Sequence, residues 1–136
     1  MPRLTRWFLR AAMVNLGLAF VLGLLTVLPP LADEAAAWRP AYIHLIALGW
    51  ATQMIFGVAY WMFPRRGPVD AQRAPRAGWL CFGALNLGLL ARVASEPLLA
   101  MRPTPAAQGL AVVAAVLQLT AVLAFTWIAW PRVLAR

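Results

Sequence analysis

The 136-residue chain is 63% hydrophobic and 12% charged, with a mean hydropathy of +0.75. Soluble domains carry about half apolar and about a quarter charged residues, so this composition excludes an ordinary water-soluble globule. The net charge of +8 comes from twelve arginines and no lysine, set in short clusters between apolar runs. That is the pattern of membrane topology and speaks against a nucleic-acid-binding surface. The one cysteine, Cys81, rules out an internal disulfide or a cysteine metal cluster within one chain and reads as a small packing residue.

Four apolar runs follow one another along a single domain, 1–136. The first predicted helix covers Trp7–Leu28: Arg3, Arg6 and Arg10 precede the uncharged stretch Ala11–Leu28, and Pro29-Pro30 closes it. A basic start before an apolar run also describes a signal peptide, with Ala35-Ala36-Ala37 as a possible cleavage site. The run exceeds the roughly 7–15 residues of such a segment, so a retained helix is expected. A short loop, Pro29–Pro40, holds Asp33, Glu34 and Arg39. The second helix is predicted over Pro40–Phe63, with Pro40 at its first position, where a missing N–H costs nothing, and Pro64 ending it. Pro64–Arg76 reads as a loop with four arginines. The third helix covers Ala77–Met101, with Pro97 expected to kink or loosen its last turn. Pro103 and Pro105 mark a tight turn, and the fourth helix covers Ala106–Trp130, closed by Pro131 and Arg132. The fold class expected is an all-α membrane protein, an up-down bundle of four transmembrane helices.

Arginines set the expected orientation. The N-terminus, the middle loop and the C-terminal tail hold nine; the other two loops hold only Arg39 and Arg102. Both termini and the middle loop are therefore expected on the cytoplasmic side of a bacterial inner membrane. Trp7, Trp38, Trp61, Trp79 and Trp130 sit near helix ends, where amphipathic rings prefer the interface.

His44 is the only histidine. It falls about one turn, roughly 5–6 Å, below the outer surface. Two uses are open: an interfacial histidine bonded to a carbonyl or headgroup, or an axial ligand of haem iron. Leu48, Ala51, Ile55, Val58 and Met62 share its helical face, which suits a porphyrin or a neighbouring helix. Gly49, Ala51 and Gly57 permit close approach. Arg92 and Glu96, spaced i and i+4, fall near the same membrane face as His44. They read either as a mutual ion pair or, through Arg92 with Arg39, as binders of an anionic group such as a haem propionate. Gln53, Asn86 and Gln118 share a mid-membrane depth, with Asn15 nearer the cytoplasmic side. Interhelical hydrogen bonds are their expected use. Gln53 is nine residues from His44, about 180° round an α-helix.

Around the second helix the spaced pattern His44, Gly49, Gly57, Tyr60-Trp61-Met62-Phe63-Pro64-Arg65, Ala74-Pro75-Arg76 and Trp79 resembles haem-copper oxidase subunit I. The likeness extends to its short cbb3-type-subunit-I-like and NnrS-like relatives, and it runs from Tyr42 to about Gly83 of the 136 residues. In that family the second-helix histidine is an axial ligand of the low-spin haem, a role the resemblance carries to His44 alone. No aligned family motif carries a role to Arg92 or Arg39. The further histidines of the family's haem and copper centres are missing, which excludes an oxygen or nitric oxide reductase site within one chain. The family's subunit is built of four-helix units in a pseudo-threefold ring, so the resemblance implies a homotrimer; a dimer sharing one haem between two His44 side chains competes with it.

The expected function is thus a haem b (iron) protein of the lipid bilayer, with His44 on the metal and Arg92 and Arg39 beside the cofactor. It would serve electron transfer or haem-dependent sensing as a homo-oligomer, with a redox partner and without nucleic acid. The alternatives are a haem-free scaffold or assembly subunit and, more remotely, a small transporter whose path is lined by Gln53 and Gln118.

Overall fold

The second apolar run does not form one uniform helix. In the computed structural model, which describes the backbone of residues 1–28, 32–63 and 67–133, it contains an eight-residue π-helix between two α-helices. In chain order the elements are α1 (Arg3–Val27), α2 (Ala32–His44), the π-helix (Leu45–Thr52), α3 (Gln53–Met62), α4 (Gly67–Met101) and α5 (Pro105–Val133). Arg3–Val27, Ala35–Met62, Ala74–Met101 and Pro105–Val133 are each long and apolar enough to cross a membrane. The chain is a multi-pass membrane protein with the architecture of an all-α four-helix bundle.

Several expected boundaries change, the first being the start of α1, which lies at Arg3 and not Trp7. Pro40 does not start a helix. It lies inside α2, which begins at Ala32. The alanine-rich stretch before it is a strong helix former, and Pro40 withdraws only the bond to the carbonyl of Ala36, an exposed residue. The arginine-rich segment before Ala77 is not all loop, because α4 begins at Gly67. Pro131 sits within α5 without ending it, whereas α4 runs past Pro97 to Met101 as expected. The first and second spans end at Val27 and Met62, each within one residue of the expected end, and Leu28 and Phe63 turn to extended backbone; Pro29, Pro30, Pro64, Arg65 and Arg66 lie outside the described residues.

The tight turn at Pro103–Pro105 is present. Thr104 caps α5: its Oγ1 accepts from the Ala107 N–H at 3.2 Å and its carbonyl from the Gln108 N–H at 3.0 Å. Pro105 stands in the first position, where no donor is wanted. This turn folds α5 back along α4, the most extensive helix contact in the molecule. The buried face of α5 repeats every seven residues through Ala107, Ala114, Ala121 and Ile128. A seven-residue repeat of small side chains keeps one seam against a neighbour and lets the two backbones come close. On α4 the seam meets Gly88, where an added Cβ would stand 3.1 Å from the Ala114 carbonyl oxygen.

On the other side α1 packs against the second span. Its buried residues Leu4, Phe8, Ala12 and Ala19 form one stripe. The contact is closest at two glycines. A Cβ on Gly49 would stand 2.8 Å from Asn15 Cβ and 2.9 Å from Leu89 Cδ2; one on Gly57 would stand 2.8 Å from Phe8 Cβ.

Two clusters fill the bundle. One draws on all four spans and includes Phe8, Phe56, Tyr60, Cys81, Leu85 and Ile128. Phe56 stacks on Phe125 with ring centroids 3.8 Å apart, and Phe82 meets Phe8 edge to face. Cys81 is buried here as a packing residue. The second cluster, nearer His44, holds Ala19, Leu45 and Leu89 and lacks α5. Large apolar side chains such as Phe20, Leu90, Leu119 and Trp127 face outward, as a lipid-solvated surface requires.

The two glycine contacts give a test. Gly57→Leu should lower stability in detergent by about 1–3 kcal/mol through overpacking. Gly17→Ala, where nothing lies within 4 Å, should leave it unchanged or slightly raised. Thermal unfolding of both variants measures the difference.

Candidate functional site

A π-helix has one residue more per turn than an α-helix, so it alters which side chains share a face. In an α-helix His44 and Gln53 would point about half a turn apart. Here eight of the residues from Leu45 onward are π-helical, and the lag takes up most of that half turn. Both side chains consequently face α4. The expectation that Gln53 lies opposite His44 fails for this reason. So does the expected stripe below His44. Leu48 packs inward, but Ile55 is 62% and Met62 67% exposed.

Two side chains reach backbone carbonyls of the π-helix. Asn15 Nδ2 donates to the Gly49 carbonyl at 3.2 Å, and Thr52 Oγ1 to the Ala47 carbonyl at 2.8 Å. The first of these bonds pins α1 to the π-helix at the glycine where they approach most closely.

His44 ends α2. Its Nδ1 lies 2.9 Å from Glu96 Oε1 on α4 and 3.0 Å from the Pro40 carbonyl oxygen one turn back. A proton on Nδ1 serves both acceptors as a three-centre bond. Nε2 then carries the free lone pair, and no partner occupies it among the described residues. The His44 side chain is 30% exposed and that of Glu96 11%. The arrangement is an imidazole fixed in tautomer and direction by a carboxylate, with its second nitrogen open. Such a nitrogen can accept a hydrogen bond or ligate a metal.

Glu96 also holds α4 to itself. Arg92 Nε lies 3.9 Å from Glu96 Oε1, an ion pair too long to be a hydrogen bond. Arg92 turns instead to α5, where Nη2 donates to Gln118 Oε1 at 3.4 Å. Ser95, fully buried, donates to the Arg92 carbonyl at 3.2 Å. One chain of polar contacts thus runs His44–Glu96–Arg92–Gln118 across three spans.

The mid-membrane amides separate into two groups. Gln53, fully buried, pairs with Asn86 through reciprocal amide bonds of 3.1 and 3.3 Å, and Asn86 also donates to the Phe82 carbonyl at 2.8 Å. Gln118, expected with them by depth, belongs to Arg92. Arg39 joins neither group. It is exposed and borders a pocket of about 360 Å³ with Thr26, Ala35, Ala36 and Tyr42, between α1 and α2. The structure therefore brings together His44, Glu96 and Arg92 and leaves Arg39 apart. Among the described residues no three His, Cys, Asp or Glu side chains converge on a common metal position.

Sequence reading missed the His44–Glu96 contact. Their similar depth was legible, but the i, i+4 spacing drew Glu96 to Arg92. No protein-family model, curated protein or solved structure matches the chain.

The amide pair and the His44–Glu96 contact can be compared by mutant cycles. Asn86→Leu alone should cost about 1–3 kcal/mol, because it leaves the buried Gln53 amide without its partner, and Gln53→Leu less, because Asn86 keeps its bond to the Phe82 carbonyl. The double variant should cost clearly less than the sum. For His44→Phe and Glu96→Leu the coupling should fall between about 0.5 and 2 kcal/mol. Unfolding free energies of the four variants and the two doubles, measured in mixed micelles, supply both cycles.

Proposed function

We propose that the chain is a haem b protein of the membrane, with His44 Nε2 as an axial ligand, and that it serves electron transfer or haem-dependent sensing and makes no bonds itself. The observation that supports this reading is the hold on Nδ1. A ligating histidine commonly donates its other nitrogen to a carboxylate or a backbone carbonyl, which fixes the ring and raises its basicity. His44 meets both acceptors, Glu96 and the Pro40 carbonyl. The donor set fits a haem in this respect: a single neutral imidazole with an open nitrogen suffices for one axial bond.

When bound, haem iron supplies one-electron exchange between its ferric and ferrous states. The chain's own contribution is positional. Glu96 and the Pro40 carbonyl orient the ring. Arg92 and Arg39 remain the candidate partners for propionates; Arg92 would have to release Gln118 to serve. With one histidine per chain, the iron would take one protein ligand per chain, and any second one would have to come from another copy or from a residue of another type. A homotrimer follows the four-helix-unit resemblance, and a symmetric dimer sharing one haem is its competitor. The arginine distribution supports a bacterial inner-membrane location with both termini in the cytoplasm.

A haem-free scaffold or assembly subunit is the second reading. It is favoured by the fact that His44, Arg92 and Gln118 already have protein partners that tie the spans together.

The visible spectrum of detergent-purified protein separates the two. A Soret band with sharp reduced α and β bands is expected, and His44→Ala should abolish it. Glu96→Gln should weaken haem affinity about 10–100-fold while the fold persists. Protein that stays colourless after haemin addition overturns the reading. For the orientation, a cytoplasm-dependent fluorescent reporter fused to either terminus should light up; a dark reporter at both ends would reverse the topology.

A further inference from the structure

The open pocket between α1 and α2 has a volume of about 360 Å³. Thr26, in the last turn of α1, lines it together with Ala35, Ala36, Arg39 and Tyr42 of α2. At about 30 Å³ per water, that is the room of roughly a dozen waters. Its depth is also defined. α1 closes at Val27, and the membrane-crossing stretch of the second span starts at Ala35. The pocket therefore lies where hydrocarbon gives way to headgroups.

The walls differ in chemistry. Ala35 and Ala36 are small and leave the space open. Tyr42 lays its ring against α1 at Gly23, where an added Cβ would stand 3.1 Å from Tyr42 Cε2. The Thr26 hydroxyl donates to the Gly23 carbonyl at 2.7 Å, so its oxygen keeps lone pairs for another donor. Arg39 is exposed and has neither a hydrogen bond nor an ion pair among the described residues. On α2, Asp33 and Glu34 stand at positions about 130° from the centre of the face that holds 35, 36, 39 and 42, so Arg39 gives that face its charge.

These groups define the occupant. A guanidinium presents planar donors that match the oxygens of a phosphate. One guanidinium balances a single negative charge, which is the charge of a phosphodiester; inorganic phosphate at neutral pH carries more. The volume exceeds what a phosphate alone fills, and the alanine walls suit the glycerol part of a lipid, whose chains continue into the surrounding bilayer.

We propose that Thr26, Arg39 and Tyr42 form a headgroup site for one phospholipid, its phosphodiester held by the Arg39 guanidinium and the Tyr42 hydroxyl. A hydroxyl or ammonium group of the headgroup donates to Thr26 Oγ1. The bound lipid links the end of α1 to α2. Neither His44 nor Glu96 lines the pocket, so the site does not depend on iron at Nε2, and an occupied pocket leaves Arg92 as the candidate for a propionate.

Native mass spectrometry of the full chain, released from nanodiscs of phosphatidylglycerol and phosphatidylethanolamine, tests it. One phospholipid per chain should survive the delipidation that strips the rest. Arg39→Gln should weaken its retention about 10-fold or more. Ala36→Trp, which fills the pocket and keeps the charge, should do the same. Arg102→Gln, at the same end of the bundle but outside the pocket, should leave retention unchanged. A structure in the same nanodiscs should show phosphate density within about 3.2 Å of the Arg39 guanidinium. Equal retention in the parent chain, Arg39→Gln and Ala36→Trp overturns the proposal, as does a pocket that is empty or holds a protein side chain. Inorganic phosphate found there in place of a lipid overturns it as well. If a variant does not fold, the structure of the parent chain decides alone. Haem absorbance plays no part in these readouts, so failure here is separable from failure of the haem reading.

Discussion

The π-helix Leu45–Thr52 is the constraint on which the rest of the bundle depends. Without it, His44 and Gln53 would face different ways, and α4 could satisfy only one of them. With it, the second span shows α4 both a histidine and an amide, and α4 answers with Glu96 and Asn86. The irregular turn is supported from outside by Asn15, whose amide reaches the Gly49 carbonyl. Gly49 is needed for the same reason: any larger residue would push Asn15 and Leu89 away. A local departure from α geometry thus depends on a small residue, a neighbouring helix and a side-chain donor together, as π turns near functional residues often do.

The membrane environment sharpens this dependence. Water cannot rescue a polar group in the hydrocarbon region, so each must find its partner on another span. Gln53 and Asn86 do so completely, by exchanging two bonds. His44 reaches α4 through Glu96, and Arg92 reaches α5 through Gln118, with the Arg92–Glu96 ion pair along α4 linking the two. The apolar contacts provide the scaffold. The polar ones fix its rotation, because a helix turned by one residue about its axis would lose them all. Cys81, by contrast, is held by apolar neighbours alone and has no part in this rotational lock.

How much could be read beforehand depends on whether a feature obeys helical periodicity. Four apolar spans, the tight Pro103–Pro105 turn and the arginine asymmetry are compositional, and they were legible. The Gly49 and Gly57 approaches were legible as small residues, though not their partners Asn15 and Phe8. The face of His44 was not, because a stripe drawn at 100° per residue assumes an unbroken α-helix. A hint lay in Ala41, Leu45, Gly49 and Gln53, all buried. Steps of four drift about 40° each on an α-helix and stay in line only when the turns widen. Glu96 was seen but paired with its neighbour in sequence, since i, i+4 spacing is visible in a string and an interhelical contact is not. Prolines misled for a related reason. Pro40 and Pro131 suggest boundaries in a string, yet a membrane helix continues through a proline when the packing along the rest of it outweighs one lost bond.

The short connection between α4 and α5 bears on how the chain enters the bilayer. Only Arg102, Pro103 and Thr104 separate the two helices. α4 carries Arg92 and Glu96 in its C-terminal half and, exposed to lipid alone, would hold them at a substantial cost. The glutamine that meets Arg92 lies on α5, which leaves the ribosome afterwards. α4 is therefore poorly suited to leave the insertion machinery by itself. The pair is built to partition as one hairpin, the alanine seam closing while both helices are still sheltered, so that the arginine first meets the lipid phase already covered.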